Sequence, residues 1–315
     1  MKTVKVSVII VTYRRAWALR HCLKSLAKQT LKPDEVVVVL KPSGDGSEEV
    51  LHKYMSKLPI KVVIQREGNA PKAYTLGIKN ASGDIVLFID DDAVAHEEWV
   101  ERYVKLFNML KDAGGVGGLC FKAYLREDTL LLTNEVFYPE VPTKDVLYRK
   151  PLKGYEGYCV WLSKSGFMGA RECEEELVKS MEIGGVNMAF RRDLIEDCPL
   201  DSLYGRSRKA FWFEKVLAHY VRRKGYHIYK VRVEKHSPLV YHIVHKDSLT
   251  RKPGFQSEFW LHYDRVVMYW RLKRLGANVS ALHYLLALLF TLRRKTIPRF
   301  LATVYGLAVG SIGSF

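Results

Sequence analysis

The sequence predicts an α/β protein with a mostly parallel, Rossmann-like sheet flanked by helices, followed by amphipathic helices at the C-terminus. Three observations support this class. Short β-branched runs alternate with segments of helical spacing through the first 125 residues, one run ends in three consecutive aspartates, and the last quarter alternates uncharged stretches with basic clusters. Repeated β–α units joined by short links favour parallel strands with right-handed crossovers.

The elements of the first part follow from these patterns. Apolar, β-branched runs predict strands, and apolar residues three or four positions apart predict helices. The predicted strands are Lys5–Thr12, Glu35–Leu40, Lys61–Gln65, Ile85–Ile89 and Val116–Tyr124. The predicted helices are Arg15–Gln29, Ser47–Ser56, Lys72–Ala81 and Glu97–Lys111.

The second part of the chain is less regular. Residues 126–183 interleave glycine with aromatic residues, which predicts a loop-rich segment lining a cleft, with one helix at Glu172–Met181. Regular elements then return. They are a strand at Asn187–Phe190, a helix from Arg192, a helix at Phe211–Lys224, a strand at Tyr226–Val233 and a long helix at Phe255–Leu275.

Charge is distributed very unevenly along the 315 residues. The net charge is +16, and residues 201–315 hold 21 Lys and Arg side chains against 6 Asp and Glu side chains. A basic half predicts a phosphorylated substrate or an anionic lipid as its partner. We expect no nucleic acid, because the sequence has no helix-turn-helix, zinc-finger or RNA-recognition signature.

The five cysteines are scattered and include no Cys-x-x-Cys pair. This pattern predicts reduced thiols in a cytosolic protein, with neither a disulfide framework nor a zinc site. The first residues enter a strand pattern almost at once, which leaves no room for a signal peptide.

The C-terminal tail combines apolar and basic character. Gly276–Leu292 and Phe300–Phe315 contain no charged residue, and Arg293-Arg294-Lys295 lies between them. Each stretch is shorter than the ~20 residues of a spanning helix. We interpret them as helices lying in the headgroup region of an anionic leaflet. The alternatives are a core-packing helix, a dimer interface or a shallow helical hairpin.

Three carboxylates follow the strand predicted at Ile85–Ile89. Asp90, Asp91 and Asp92 come at its carboxyl end, where open α/β sheets place their ligands. Adjacent like charges repel, and Mg²⁺ or Mn²⁺ completed by substrate phosphates would relieve that repulsion. The alternative is a solvated acidic turn that caps the helix near Glu97.

From residue 6 to about 250, the chain resembles family 2 glycosyltransferases of the GT-A fold. Five segments carry the resemblance in the family's order. They are Ser7-Val8-Ile9-Ile10-Val11-Thr12-Tyr13-Arg14-Arg15, Gly68 through Gly77, Ser82-Gly83-Asp84 with the three aspartates, Gly184-Gly185-Val186-Asn187-Met188-Ala189-Phe190-Arg191-Arg192, and Phe213-Glu214. The fourth is very close to the family's Gly-x-Asn-Met-Ala-Phe-Arg-Arg stretch.

The resemblance implies a nucleotide-diphospho-sugar donor held with Mg²⁺ or Mn²⁺. Asp90 and Asp92 would bind the metal, and a histidine far along the chain often completes such sites. His242 fits that position best, His245 next and His236 less well. The donor contacts implied in the same way are Thr12, Tyr13, Arg15, Lys72, Asp84, Asp90 and Asp91.

Glu214 aligns with the second acid of the family's Glu-Asp pair and is therefore our candidate general base. A single base without an enzyme nucleophile implies direct displacement with inversion. The alternative is a surface charge paired with Lys215. Phe213 replaces the first acid of that pair, which removes any role for it.

Two further features concern the donor base and the acceptor. Leu40 stands where the family commonly has the aspartate that reads the base, so base recognition must use backbone groups, Lys41, Asp84 or other residues. Tyr74 and Thr75 replace the usual Arg-Asn, which leaves Lys72 to face the phosphates. The candidate acceptor contacts are Trp161, with Tyr158 beside it, Asn187, and Arg191, with Arg192 beside it. For the two aromatic residues, the alternative is core packing.

Together these readings predict a metal-dependent inverting glycosyltransferase acting on a lipid-linked or glycan acceptor. Residues 1–125 would bind the donor, residues 126–250 would complete the same GT-A domain with acceptor and catalytic groups, and residues 251–315 would contact an anionic membrane. We expect the protein to be cytoplasmic, peripheral or monotopic at the cytoplasmic face of the cell membrane. The alternatives are a nucleotidyltransferase, although Thr12-Tyr13-Arg14-Arg15-Ala16 lacks the glycines of such a loop, and a non-catalytic module that binds nucleotide sugars or membranes.

Overall fold

The computed structural model describes residues 4–137, 148–208, 210–245, 254–291 and 296–313. Its strands are β1 Val6–Thr12, β2 Glu35–Leu40, β3 Ile60–Ile64, β4 Ile85–Ile89, β5 Ala93–Ala95, β6 Ala113–Gly117, β7 Leu119–Arg126, β8 Thr129–Val136, β9 Val160–Leu162, β10 Met168–Ala170, β11 Leu177–Lys179, β12 Asn187–Arg191, β13 His227–Val231 and β14 Leu239–Ile243. Its α-helices are α1 Ala16–Leu26, α2 Ser47–Tyr54, α3 Ala70–Asn80, α4 Trp99–Met109, α5 Leu200–Leu203, α6 Phe213–Arg223, α7 Phe255–Arg274, α8 Ala281–Thr291 and α9 Ile297–Ser311.

The main sheet has the strand order β11-β13-β6-β12-β4-β1-β2-β3. Strands β4, β1, β2 and β3 pair in parallel, as do β13 and β6. Strand β12 runs antiparallel between β4 and β6. The predicted fold class is confirmed, and the insertion of β12 joins the second half of the chain to the sheet of the first.

Helices cover both faces of this sheet, and that explains why its central strands are apolar throughout. β4 is buried along its whole length. One apolar layer contains Leu23 of α1 and Trp99 of α4, and the other contains Ile78 of α3, Val216 of α6 and Val267 of α7. Strands buried on both sides cannot alternate polar and apolar residues.

A second sheet begins where the chain leaves the first at Gly118. The strand predicted at Val116–Tyr124 is two strands, β6 and β7, which belong to different sheets. The backbone of Gly118 passes so close to Pro238 that a Cβ would lie 1.9 Å from the Pro238 carbonyl oxygen. The second sheet has the order β5-β14-β7-β8, and three of its strands were not predicted.

Two helix predictions were wrong. Glu172–Met181 contains no helix; instead β11 pairs antiparallel with β13 at the sheet edge, so tertiary pairing overrode the local preference of a glutamate-rich run. The helix expected from Arg192 is a single 3₁₀ turn at Arg192–Leu194.

The prediction of five reduced thiols was wrong for one pair. Cys159 and Cys173 form a disulfide with a Cα–Cα distance of 6.1 Å. The antiparallel pairing of β9 with β10 sets Val160 opposite Ala170 and brings the flanking cysteines together. Scattered spacing in the sequence does not reveal a contact made through a hairpin. Cys22, Cys120 and Cys198 are free and buried.

The long helix predicted at Phe255–Leu275 is α7, and α9 packs against it. Helices α8 and α9 each present an exposed apolar stripe, with Leu282, Leu285 and Leu289 on α8 and Ile297, Phe300 and Val304 on α9. Within the described segments, no helix combines the length and apolar character needed to cross a bilayer. The basic run Arg293-Arg294-Lys295 lies outside the described residues.

Candidate active site

The three aspartates form a corner between the two sheets. β4 ends at Ile89, and β5 begins at Ala93 and pairs antiparallel with β14 in a register that sets Ala93 opposite His242. His242 Nε2 therefore lies 3.2 Å from Asp92 Oδ1 and 3.9 Å from Asp90 Oδ2. The predicted companion of the aspartates thus reaches them through a strand pairing that the sequence did not reveal.

Two further side chains close the corner. His245 Nε2 lies 2.8 Å from Asp92 Oδ2. Arg15, at the end of the loop after β1, contacts Asp91 Oδ1 at 3.0 Å and also pairs with Asp92. Arg15 is therefore engaged with the carboxylates, and we expect it to orient them as well as to face a ligand.

Asp90 and Asp92 differ in the electrostatic environment of their carboxylates. Burial, with the adjacent charge of Asp92, raises the pKa of Asp90 to about 6. Burial has the same direction at Asp92, but there the attraction of His242, the hydrogen bonds from His242 and His245, and the charge of Arg15 hold the pKa well below its usual range. A divalent cation would favour the ionised form of both carboxylates.

The donor atoms suit Mg²⁺ or Mn²⁺. One ligand atom each from Asp90, Asp92 and His242 lies within 4.8 Å of the other two. Asp92 is buried, and its Oδ1 accepts no well-aligned hydrogen bond. Two carboxylates with one imidazole are hard or borderline ligands, and Asp90, with 34% of its side chain exposed, leaves room for substrate oxygens to complete the coordination.

Glu214 lies in the first turn of α6, in a largely buried position with 14% of its side chain exposed. Burial raises its pKa to about 7, and the attraction of Lys215 opposes that rise while Glu182 and Asp90 add to it. Lys215 Nζ lies 4.0 Å from Glu214 Oε1 and 3.3 Å from Glu182 Oε2. A carboxylate with a pKa near 7 is suited to accept a proton at neutral pH.

Tyr74 is close enough to both Asp90 and Glu214 for their charges to act on it. It was not among the predicted site residues. Its ring stacks on Phe213 with the centroids 4.0 Å apart, and the charges of Asp90 and Glu214 add to the effect of burial in raising the pKa of its hydroxyl. The sequence did offer one signal for Tyr74. Both Tyr74 and Phe213 depart from the family pattern, and the two residues are in contact in the structure.

Three predicted donor residues lie at this same edge of the sheet. Thr12 is buried at the end of β1, and Tyr13 follows it with 43% exposure. Lys41 Nζ lies 5.5 Å from the Tyr13 ring centroid, just after Leu40, which is buried at the end of β2. Lys72, in the first turn of α3, pairs with Asp201 at 3.1 Å.

Asp84 and Arg191 lie elsewhere. Asp84 precedes β4 and Asp90 follows it, so the two are separated by roughly 20 Å of extended chain. Arg191 pairs in register with Ile85 at the same far end. Both line an open cavity of about 410 Å³ with Arg192 and Lys111. The structure does not bring them together with the acidic corner.

Asn187 and Trp161 are structural in their contacts. The Asn187 amide oxygen accepts hydrogen bonds from Trp99 Nε1 and the Tyr103 hydroxyl, both at 2.8 Å, and its NH₂ donates to the carbonyls of Leu119 and Pro238. All its hydrogen-bonding capacity is used. Trp161 is buried and donates to the Tyr148 carbonyl at 2.9 Å.

The described residues thus form a mixed α/β sheet with an acidic corner at the carboxyl end of a central strand and a carboxylate of raised pKa at the start of α6. The model of the family named Glycosyl transferase family 2 matches residues 7–167, about half of the chain. The protein belongs to this family, as the sequence resemblance predicted.

Relatives and solved structures agree with this assignment. The poly(ribitol-phosphate) β-N-acetylglucosaminyltransferase TarS of Staphylococcus aureus is 32% identical over 163 residues, which cover 47% of this chain and 28% of TarS. The glucosyl-dolichyl phosphate glucuronosyltransferase of Haloferax volcanii is 33% identical over 197 residues, covering 60% of this chain and 53% of that enzyme. This chain therefore matches only part of the length of each relative.

Two solved structures show the shared fold. TarS residues 1–349 with UDP-GlcNAc superpose with a TM-score of 0.61 at 16% identity, covering 99% of this chain and 82% of that one. The mannosyltransferase PcManGT of Pyrobaculum calidifontis, solved with GDP-Man and Mn²⁺, gives a TM-score of 0.55 at 17% identity, covering 99% and 81%.

Proposed function

We propose that this protein transfers a sugar from a nucleotide-diphospho-sugar to a phosphate-bearing acceptor, with Mg²⁺ or Mn²⁺ bound by Asp90, Asp92 and His242. The observation that carries the proposal is the convergence of these three ligand atoms within 4.8 Å, on the sheet edge where Glu214 also has its raised pKa. The two solved neighbours hold nucleotide sugars, one of them with Mn²⁺, which supports a nucleotide sugar and a divalent ion as the ligands proposed for this protein.

When bound, the divalent ion supplies positive charge to the departing diphosphate. The chain's own residues then have separate tasks. Arg15 keeps Asp91 and Asp92 in place, while Tyr13 and Lys41 border the position of the nucleotide base. Lys72, at the start of α3, would have to leave its pair with Asp201 to meet the diphosphate. Because Leu40 offers no hydrogen bond, the base must be read by groups other than the aspartate common in the family.

Glu214 is the proposed general base. An acceptor hydroxyl is a weak nucleophile, and a carboxylate that is half ionised near pH 7 can take its proton as the bond to the sugar forms. We assign no enzyme nucleophile, so the sugar would be transferred in one displacement with inversion of the anomeric carbon.

The acceptor is proposed to be lipid-linked or a glycan that carries phosphate. The names of the two relatives describe acceptors with phosphate, a poly(ribitol-phosphate) and a glucosyl-dolichyl phosphate. The exposed apolar stripes of α8 and α9, in a strongly basic part of the chain, support contact with an anionic membrane surface. Such contact would bring a lipid-linked acceptor to the active site.

Two successive experiments, on donor binding and then on turnover, test this proposal. A panel of nucleotide sugars is screened for Mn²⁺-dependent thermal stabilisation, because a ligand that binds only the folded protein raises its Tm. The stabilising donor is then assayed for transfer and for slow hydrolysis. The proposal predicts activity that Asp92→Asn and Glu214→Gln each abolish. Binding without any turnover would instead support a non-catalytic module, and equal activity of either variant would remove that residue from its role.

A further inference from the structure

Arg265 of α7 has no carboxylate partner among the described residues, and its guanidinium packs over the rings of Trp212 and Phe211. Its Nε atom is buried and has no hydrogen-bond partner. Burial lowers the pKa of this guanidinium, and the like charge of Arg299 lowers it further. A buried N–H group without a hydrogen-bond partner is costly, and such a group in a folded protein calls for an explanation, for example a ligand.

A second arginine of the same helix shows the contrast. Arg271 is fully buried, but its Nη2 donates to Asp264 Oδ1 at 2.7 Å and its Nε donates to the Leu203 carbonyl at 2.7 Å. The fold thus compensates a buried guanidinium on α7 where the role is structural. Arg265 lacks any such arrangement.

The position of Arg265 connects it to the proposed catalytic group. Its Cζ lies 5.3 Å from the ring centroid of Trp212 and 5.9 Å from that of Phe211. Trp212 is the residue that caps α6, two positions before Glu214. Arg299, at the start of α9, supplies the second positive charge and pairs with Glu258 at 2.7 Å. Arg265 therefore lies near the start of α6, which carries Glu214, and its charge is close enough to that of Arg299 on α9 for the two to interact.

We propose that Arg265, with Arg299 as a second cation, binds a phosphate group of the acceptor. This inference rests on the proposed function and adds the acceptor's anchoring group to it. A guanidinium presents several N–H groups to phosphate oxygens, and its outer nitrogens can bind an anion in a bidentate geometry. Of the phosphate-bearing acceptors, the position beside α9 favours a lipid phosphate at a membrane surface.

The direct test measures binding without donor or metal. The probes are a short-chain isoprenyl phosphate, the matching isoprenyl alcohol and inorganic phosphate, with the full-length protein in isothermal titration. We expect Arg265→Met to weaken binding of the isoprenyl phosphate by about tenfold to a hundredfold, Arg265→Lys to weaken it less, and neither to change binding of the alcohol. Lys273→Met, which removes an exposed charge from the same helix, is the matched control and should bind like the parent.

Thermal unfolding separates ligand binding from a structural role. If Arg265 is present for a ligand, Arg265→Met should match or exceed the parent Tm without ligand, because it removes the unpartnered Nε–H group and keeps an apolar side chain of similar length to pack on Trp212. A lower Tm, with unchanged affinity for the isoprenyl phosphate, would overturn the proposal. Equal loss of affinity for inorganic phosphate and for the isoprenyl phosphate would keep the phosphate site but overturn its lipid source.

The last experiment distinguishes a site for the acceptor phosphate from a site for the donor diphosphate. The nucleotide diphosphate that stabilises the parent should stabilise Arg265→Met equally, and loss of that effect would assign the anion to the donor and overturn the acceptor site. If sugar transfer is never detected but isoprenyl phosphate binding depends on Arg265, the phosphate site stands and the proposed catalytic function fails.

Discussion

Asp264 accepts a hydrogen bond from the backbone N–H of Phe211, at 3.1 Å, and thereby fixes the loop that enters α6. The same Oδ2 accepts from the Ser207 hydroxyl at 2.7 Å. On either side of Phe211, Ala210 and Trp212 have φ values of 53° and 66°, in the left-handed region that non-glycine residues rarely adopt. The buried carboxylate of Asp264, on α7, thus fixes the backbone that positions Glu214 in the first turn of α6.

This relationship predicts a large cost for breaking the Asp264–Arg271 pair. Asp264→Ala leaves the Arg271 guanidinium buried without its partner, so we expect the free energy of unfolding to fall by about 3–5 kcal/mol. Urea denaturation measures it. Glu258→Gln breaks the partly exposed pair with Arg299 and serves as the comparison, with an expected loss of at most about 1 kcal/mol. Similar losses in both variants would contradict the structural role of Asp264.

The metal ligands can be tested without any donor. Mn²⁺ should raise the Tm of the parent protein, and Asp92→Asn should remove that increase because it deletes a charged ligand. Asp84→Asn is the matched control, since it removes the same charge from the opposite end of β4. An unchanged response in Asp92→Asn, or a lost response in Asp84→Asn, would show that the ion binds elsewhere.

The raised pKa of Glu214 predicts a pH dependence of catalysis. A general base must be ionised, so kcat/KM should fall as the pH decreases through about 7 and level off above it. Glu182→Gln removes one of the charges that raise this pKa, so its profile should shift to lower pH. The measurement is kcat/KM from pH 5.5 to 9 at saturating metal. A profile without an inflection near 7 in the parent would exclude Glu214 as the titrating group.

The raised pKa of Glu214 also predicts that this carboxyl destabilises the folded protein at the pH values at which it is active as a base. The folded pKa of about 7 is above the ordinary value of 4.5, so the carboxyl favours folding below pH 4.5, and this contribution is lost as the pH rises to 7. The stability of Glu214→Gln relative to the parent should therefore increase from pH 5 to pH 8, although the variant loses activity. Thermal unfolding at both pH values measures this gain. A difference in Tm that is the same at pH 5 and pH 8 would contradict it.

The sequence was most informative where local pattern and burial agree. Strands β2 and β4 have the predicted bounds because each has an unbroken run of buried apolar residues and is paired with a strand on both sides. The convergence of His242 with Asp90 and Asp92, our candidate metal site, depended on the pairing of β14 with β5, three residues long, and short strands leave little signal in a sequence. Likewise, the role of Asn187 depends on four partners from three segments distant in sequence, which a motif match does not reveal.

The hydrogen bonds of Asn187 allow a test of whether this residue of the family motif serves stability or acceptor binding. Asn187→Ala would leave the buried Trp99 Nε1 and Tyr103 hydroxyl without their acceptor, at about 1–3 kcal/mol for each unsatisfied group. We expect a clear loss of stability in urea, and an unchanged KM for the acceptor in the folded fraction. Asn108→Ala, on the exposed face of α4, is the control and should be neutral.

The exposed stripe of α8 predicts how the protein meets a membrane. Leu282, Leu285 and Leu289 are 64%, 50% and 65% exposed and lie on one face of the helix. Replacing all three with glutamine removes apolar surface without changing the charge, so binding to phosphatidylglycerol vesicles should weaken by at least tenfold, while the Mn²⁺-dependent rise in Tm stays intact. Vesicle co-sedimentation measures the binding, with phosphatidylcholine vesicles as the neutral comparison. If the parent protein ignores anionic vesicles at low salt, or if the triple variant binds them as strongly as the parent, the stripe does not contact lipid, and it would then be available as a surface for another protein copy.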